Sequence, residues 1–255
     1  MIQEFKKDLL SVQIYENRLA MGRDAADCIA QKIIELLATK EVISIIFAAA
    51  PSQNEFLAAL STQQNIDWHR IIAFHMDEYV GLPGDAPQGF GNFLKRGLFG
   101  IVPFKAVHYL NGNAENSELE CRRYSDLLNL HKPEIVCMGI GENTHIAFND
   151  PHVADLNDPK MVKVVDLDLQ CRQQQVNDGC FASIDQVPTH ALTLTVPALL
   201  RPESVFCMVP GENKSQAILH TLTESITSTY PSTVLRRHPN AILFLDKSSA
   251  GKIDY

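Results

Sequence analysis

Short runs of β-branched and aromatic residues alternate with helix-patterned segments along this chain, and that alternation restricts the folds open to it. Val42-Ile-Ser-Ile-Ile-Phe47 is apolar on nearly every position, as a strand covered on both faces must be. Residues 70–75, 134–138, 204–209 and 241–245 carry similar runs, and further strands are expected near 161–166 and 190–196. Ile29, Ile33, Ile34, Leu36 and Leu37 recur at helical spacing and predict a helix over about 20–39. Ser52 is read as an N-cap with Glu55 in the capping-box position, opening a helix at 53–60. Other helices are expected near 92–98, over 115–130 and over 214–222. This order implies an α/β chain: a three-layer, Rossmann-like fold with a mostly parallel central sheet and helices on both faces. One domain spanning residues 1–255 is expected.

The hydrophobic fraction of 45% is enough for a full core, and the net charge of −8 argues against a nucleic-acid partner. No apolar stretch approaches the roughly 20 residues that span a bilayer, and the charged first ten residues lack the apolar stretch of a signal peptide. Six cysteines without CxxC spacing read as reduced thiols in a cytoplasmic protein, not as a metal site.

In parallel sheets, ligands sit beyond the carboxyl ends of the strands. Four such ends here carry small or polar residues: Ala48-Ala-Ala-Pro-Ser-Gln-Asn54, Met76-Asp-Glu-Tyr79, the loop from Gly139 to Pro151, and Pro210-Gly-Glu-Asn-Lys214. Asp77 and Glu78 are adjacent, so alternation sends at most one of them to a ligand and leaves the other to structure the turn. His145 can move a proton near neutral pH, and Asn143 or Asp150 could fix its tautomer. Ser52, Lys214 and Arg172 are the candidate anion binders, the first two at helix starts where free N–H groups favour phosphate. A P-loop is absent, and Gly139-Ile-Gly141 lacks the third glycine of a dinucleotide fingerprint.

At these residues the chain resembles the glucosamine-6-phosphate deaminase (isomerase) family, within a superfamily that includes the 6-phosphogluconolactonases. Met76-Asp-Glu-Tyr-Val-Gly-Leu-Pro83 and His145-Ile-Ala-Phe-Asn-Asp-Pro151 carry the resemblance. Leu110-Asn-Gly-Asn113, residues 186–194, Gly211-Glu-Asn-Lys214 and His238-Pro239 support it. The resemblance implies isomerisation coupled to hydrolytic deamination of glucosamine 6-phosphate, or a close amino-sugar 6-phosphate, to fructose 6-phosphate and ammonium, with no metal or organic cofactor. It implies that His145 opens the sugar ring and that Asp77 moves the C2 proton to C1. Asn143 and Asp150 would tune His145, while Ser52, Arg172, Lys214 and Gly141 would bind the substrate and its phosphate. The partner is then a small amino-sugar phosphate, with no membrane or nucleic-acid partner, and a homo-oligomer is compatible with the sequence.

Departures from the family pattern accompany the resemblance. Asn143 stands where an aspartate is frequent, Thr144 where glycine is usual, and Asp150 where glutamate is usual. Ala48-Ala-Ala-Pro-Ser52 replaces a Gly-Gly-Thr phosphate loop, and residues 152–160 differ from the portion carrying allosteric contacts in regulated members, so allostery is not transferred. One alternative is a 6-phosphogluconolactonase-type hydrolase, whose histidine motif continues Thr-Ala-Ser where this chain has Ile146-Ala-Phe148. The other is a non-catalytic sugar-phosphate-binding protein, a reading that Asn143 and Thr144 keep open, as in transcription regulators built on this fold, which carry an N-terminal helix-turn-helix. About 40 residues precede the first expected strand, too few for that module.

Overall fold

The computed structural model describes residues 1–254. Its strands are β1 (Gln3–Lys7), β2 (Leu10–Tyr15), β3 (Ile43–Phe47), β4 (Ile71–His75), β5 (Asp77–Tyr79), β6 (Ala106–His108), β7 (Ile135–Met138), β8 (Val162–Asp166), β9 (His190–Leu194), β10 (Ser204–Val209) and β11 (Ala241–Asp246). Its helices are α1 (Arg18–Leu37), α2 (Asn54–Ser61), α3 (Phe90–Leu94), α4 (Ser117–His131), α5 (Leu169–Asn177), α6 (Val196–Leu200) and α7 (Ser215–Thr223).

Eight strands form the central sheet in the order β1-β2-β11-β10-β7-β3-β4-β6. Every neighbouring pair is parallel except β1 with β2. All residues of β3, β4, β7 and β10 are buried, which is why their sequences read as continuous apolar runs. Ile45 pairs with Ala73 on one side and Ile135 on the other, so β3 sits at the centre of the layer. Ala25, Ile29 and Ile33 of α1 and Phe56 and Leu60 of α2 pack into one core. Tyr124 and Leu128 of α4 and Ala217 and Ile218 of α7 pack into the second core. The sheet is therefore sandwiched, as its strand composition requires.

The structure corrects the sequence reading in several places. The first strand is not at residue 42: a β1–β2 hairpin occupies residues 3–15 and buries Leu10, Val12 and Ile14 completely. The strands expected near 161–166 and 190–196 leave the central layer. They form β8 and β9 of a second, antiparallel sheet in the order β5-β9-β8, in which Asp77 pairs with Thr193. Ser52 is not a helix N-cap. It lies inside a 3₁₀ turn, Pro51–Gln53, that carries no side-chain cap bond, and Glu55 instead holds Arg18, Oε1 to Nε 2.6 Å. No helix among the described residues is long and apolar enough to cross a membrane.

Candidate active site

β4 ends at His75, the chain steps through Met76, and β5 begins at Asp77 in the second sheet. The step carries the Asp77 and Glu78 side chains apart. Glu78 turns away and accepts the backbone N–H groups of Tyr79 (3.0 Å), Phe90 (3.0 Å) and Gly91 (2.9 Å), so it ties β5 to the start of α3. Asp77 is buried and lines a cleft above the strand ends. Burial, reinforced by the neighbouring Glu78 charge, raises its pKa well above the ordinary carboxylate range. Behind it His75 is wholly buried; its Nε2 accepts the Leu110 N–H at 2.8 Å, and burial lowers its pKa to about 3. His75 is thus a neutral structural imidazole, and the sequence alone does not separate it from a reactive one.

The loop after β7 presents His145 to the same cleft. Its ring packs flat against Gly141: a Cβ on that glycine would fall 2.1 Å from His145 Cε1, so no larger residue fits. His145 Nδ1 lies 2.7 Å from Asn143 Oδ1 and 3.0 Å from Asp150 Oδ1. Both are acceptors, so Nδ1 carries the proton and the Nε2 lone pair is left for the cleft. Asn143 donates its amide to Asp150 Oδ1 at 3.0 Å, and its Oδ1 also accepts the His145 backbone N–H at 3.1 Å. Asp150 is completely buried; burial pushes its pKa up, but hydrogen bonds and charge from His145 and a bond from Asn143 outweigh it and leave the pKa lowered. Thr144 occupies the left-handed region at φ 69°, a strained place for a β-branched residue, and its buried hydroxyl lacks a partner among the described residues.

Lys214 closes the opposite end of the cleft. It follows Gly211, whose φ of 102° is open to glycine alone, and its side chain is buried with no carboxylate in ion-pair range among the described residues. Burial lowers the Lys214 pKa against the pull of Asp178 and Glu142. An unpaired buried ammonium is costly unless a ligand anion joins it. Ser52 faces the same space and accepts from Gln53 Nε2 at 3.1 Å, leaving its own proton free to donate. Arg172, expected among the phosphate ligands, is turned away: its guanidinium donates to the carbonyls of Ile184 (2.7 Å) and Val187 (2.9 Å) and braces that turn. The structure therefore brings Asp77, His145, Ser52, Lys214 and Gly141 to one cleft, places Asn143 and Asp150 directly behind His145, and leaves Arg172 outside.

Some cleft residues escaped the sequence reading. Gln174, Gln175 and Asp178 reach the rim from α5 and its C-terminus. The signal for them was the run of three glutamines at 173–175, polar on every side where a helix packed on the core should show an apolar stripe. Gln174 accepts the Glu142 N–H at 2.9 Å and donates to Asp178 Oδ2 at 3.3 Å. One His145, one Asp150 and one Cys171 donor atom lie within 4.8 Å of one another, but burial holds the Cys171 pKa well above the ordinary thiol range, so the sulfur stays a thiol and not the thiolate a metal takes.

The fold is that of an α/β protein with a mostly parallel central sheet, and a carboxyl, an imidazole and an ammonium meet in one cleft at the carboxyl edge of that sheet. Residues 16–244 match the family described as glucosamine-6-phosphate isomerases/6-phosphogluconolactonase, and the chain belongs to it. A glucosamine-6-phosphate deaminase of Listeria monocytogenes is 32% identical over 235 residues, covering 92% of this chain and 96% of the relative. A solved structure of a monomeric glucosamine-6-phosphate deaminase superposes with a TM-score of 0.85 at 27% identity, over 94% of this chain and 98% of that one. A 6-phosphogluconolactonase from Thermotoga maritima shares the fold, with a TM-score of 0.74 at 22% identity over 93% of this chain and all of that one (100%).

Proposed function

We propose that the protein is an enzyme that isomerises and hydrolytically deaminates glucosamine 6-phosphate, or a close amino-sugar 6-phosphate, to fructose 6-phosphate and ammonium. The observation that carries this reading is the pairing of a buried carboxyl, Asp77, with the free Nε2 of His145 in one cleft that ends at Lys214. A C–H bond next to a carbonyl is weakly acidic, so its proton needs a positioned base kept from water; the raised pKa of Asp77 makes it a stronger base than an exposed aspartate. In this reading, His145 Nε2 takes the anomeric hydroxyl proton and delivers a proton to the ring oxygen, which opens the sugar. Asp77 then removes the C2 proton and returns it at C1, and the amine leaves after water adds to the resulting C2 imine. Asn143 and Asp150 hold the Nδ1–H tautomer, while Lys214 and Ser52 hold the phosphate.

The lactonase alternative is supported by likeness of fold, whereas the relatives that share about a third of their residues over nearly the whole chain are deaminases by name. All six cysteines are free thiols, which supports a reducing, cytoplasmic setting. An ammonium-release assay across glucosamine, galactosamine and mannosamine 6-phosphates tests the reading. Turnover of at least one is expected; no ammonium from any of them overturns it.

A further inference from the structure

We propose that Asp168, which does not line the cleft, is a positioning residue for His145. It acts through Asn143, whose amide nitrogen it engages together with Asp150. The proposal rests on the reading of His145 as the ring-opening group.

Asn143 has two ends, and their surroundings differ. Its oxygen faces donors: the Nδ1–H of His145 at 2.7 Å and the His145 backbone N–H at 3.1 Å. Its nitrogen faces acceptors: Asp150 Oδ1 at 3.0 Å and Asp168 Oδ2 at 3.4 Å. A carboxylate accepts and cannot donate, so two of them on one side of an amide leave a single orientation satisfied. Rotating Asn143 by half a turn would set its NH₂ against the two N–H donors of His145 and its oxygen against both acids. With Asp150 alone, the amide nitrogen has one hydrogen to place on a carboxylate; Asp168 takes the second.

Asp168 is itself fixed. Its Oδ1 caps α5 by accepting the Cys171 N–H at 2.6 Å, which leaves Oδ2 pointing back to Asn143. On its outer side stands half-exposed His152, with Nδ1 at 3.9 Å from Asp168 Oδ2 and Nε2 at 2.9 Å from Asp166. Donor atoms of Asp150, His152 and Asp168 lie within 4.8 Å of one another. The charged and titratable groups around His145 are then Asp150 at its Nδ1, Asp168 and His152 behind Asn143, Cys171 beside Asp150, and Asp77, Lys214, Arg18 and Asp178 lining the same cleft. Two carboxylates share one amide and lie close together, so a third carboxylate at position 143 would meet like charge on both sides. Asn143 and Asp168 are coupled in this way: the amide supplies hydrogens to two acids, and the outer acid keeps the amide turned correctly.

The test is a double-mutant cycle on the full chain: wild type, Asp168→Asn, Asn143→Asp and the double variant. Asp168→Asn keeps an Oδ1 to cap α5, so it removes charge and acceptor character at Oδ2 with the helix intact. It is expected to lower kcat for the hexosamine phosphate about tenfold with KM little changed. Asn143→Asp alone should lower kcat about a hundredfold, and adding Asp168→Asn should recover at least tenfold of that loss. Histidine ¹⁵N NMR of each variant reads the same coupling without turnover: Nδ1 of His145 should be the protonated nitrogen in wild type and should lose that preference in Asp168→Asn. An unchanged His145 tautomer in Asp168→Asn, or two single losses that multiply in the double variant, overturns the proposal. An active-site failure of the deaminase reading appears separately, as wild-type protein with His145 protonated at Nδ1 and no ammonium release.

Discussion

Asp77 meets two opposed demands. As the base of the proposed reaction it has to ionise, yet it sits where burial and the Glu78 charge favour the protonated form. Deamination should therefore fall as pH is lowered through the raised Asp77 pKa, at a higher pH than an exposed aspartate would set, and a pH–rate profile of kcat/KM reads that limb. The stability effect has the opposite sense. A carboxyl whose folded pKa lies above its unfolded value favours folding at low pH, and that contribution is lost as pH rises through the folded pKa. At neutral pH the ionised Asp77 is thus a burden on the folded state. Asp77→Asn is expected to lower kcat by about 10²–10⁴-fold and to raise Tm by about 2–4 °C at neutral pH, the gap closing in acid. Calorimetry of both proteins across pH checks the sign, and a lower Tm for the variant at neutral pH would contradict it. Lys214 carries the mirror-image tension, since burial disfavours its ammonium and no carboxylate among the described residues pairs with it. Reactivity at this site is maintained against the preference of the fold, which is where stability and function trade.

Elements explain which parts of this arrangement were readable in advance. The central strands were, because burial on both faces leaves an unbroken apolar run that no other element matches at that length. The alternation of Asp77 and Glu78 was also readable, since period two follows from strand geometry. The excursion of β8 and β9 into a second sheet was not. Val162–Asp166 and His190–Leu194 have strand composition, and composition does not say which sheet a strand joins. Leu10, Val12 and Ile14 show a clean period of two that marks β2, although the charged β1 beside it hides the hairpin. Arg172 looked like an anion ligand because it is a cation in a polar stretch; helix phase and the carbonyls of residues 184–187 decide where it points, and neither is visible in one sequence. Glu78 is the element-level joint. Three backbone N–H groups converge on it, two of them at the start of α3. Glu78→Ala removes all three acceptors, and hydrogen bonds to a charged group contribute roughly 1.5–3 kcal/mol. A loss of about 2 kcal/mol in urea denaturation is expected. An unchanged midpoint would show that water replaces the carboxylate there without penalty.

The whole molecule carries a net charge of −8 and yet reads as a binder of a phosphorylated sugar, so the anion has to be drawn in locally. The topology does this by collecting four strand ends at one edge, where the loop after β3 brings Ser52 and the turn after β10 brings Lys214 into the cleft. Because Arg172 is committed elsewhere and Arg18 is held by Glu55, Lys214 is the cleft cation with no carboxylate partner among the described residues. Binding should then rest on Lys214 to a degree that a many-cation pocket would not show. A ligand that binds only the folded state stabilises it by about 2.7 kcal/mol at a hundred times Kd, which for a chain of this length raises Tm by about 5–10 °C. Measuring that shift with glucosamine 6-phosphate in the Asp77→Asn background prevents the ligand from being consumed. Adding Lys214→Met should abolish most of the shift while raising the ligand-free Tm, since a buried unpaired charge is replaced by an apolar side chain of similar length. If the full shift survives without Lys214, the phosphate is held by the backbone of the β3 loop and the Ser52 hydroxyl, and the ammonium serves another part of the sugar.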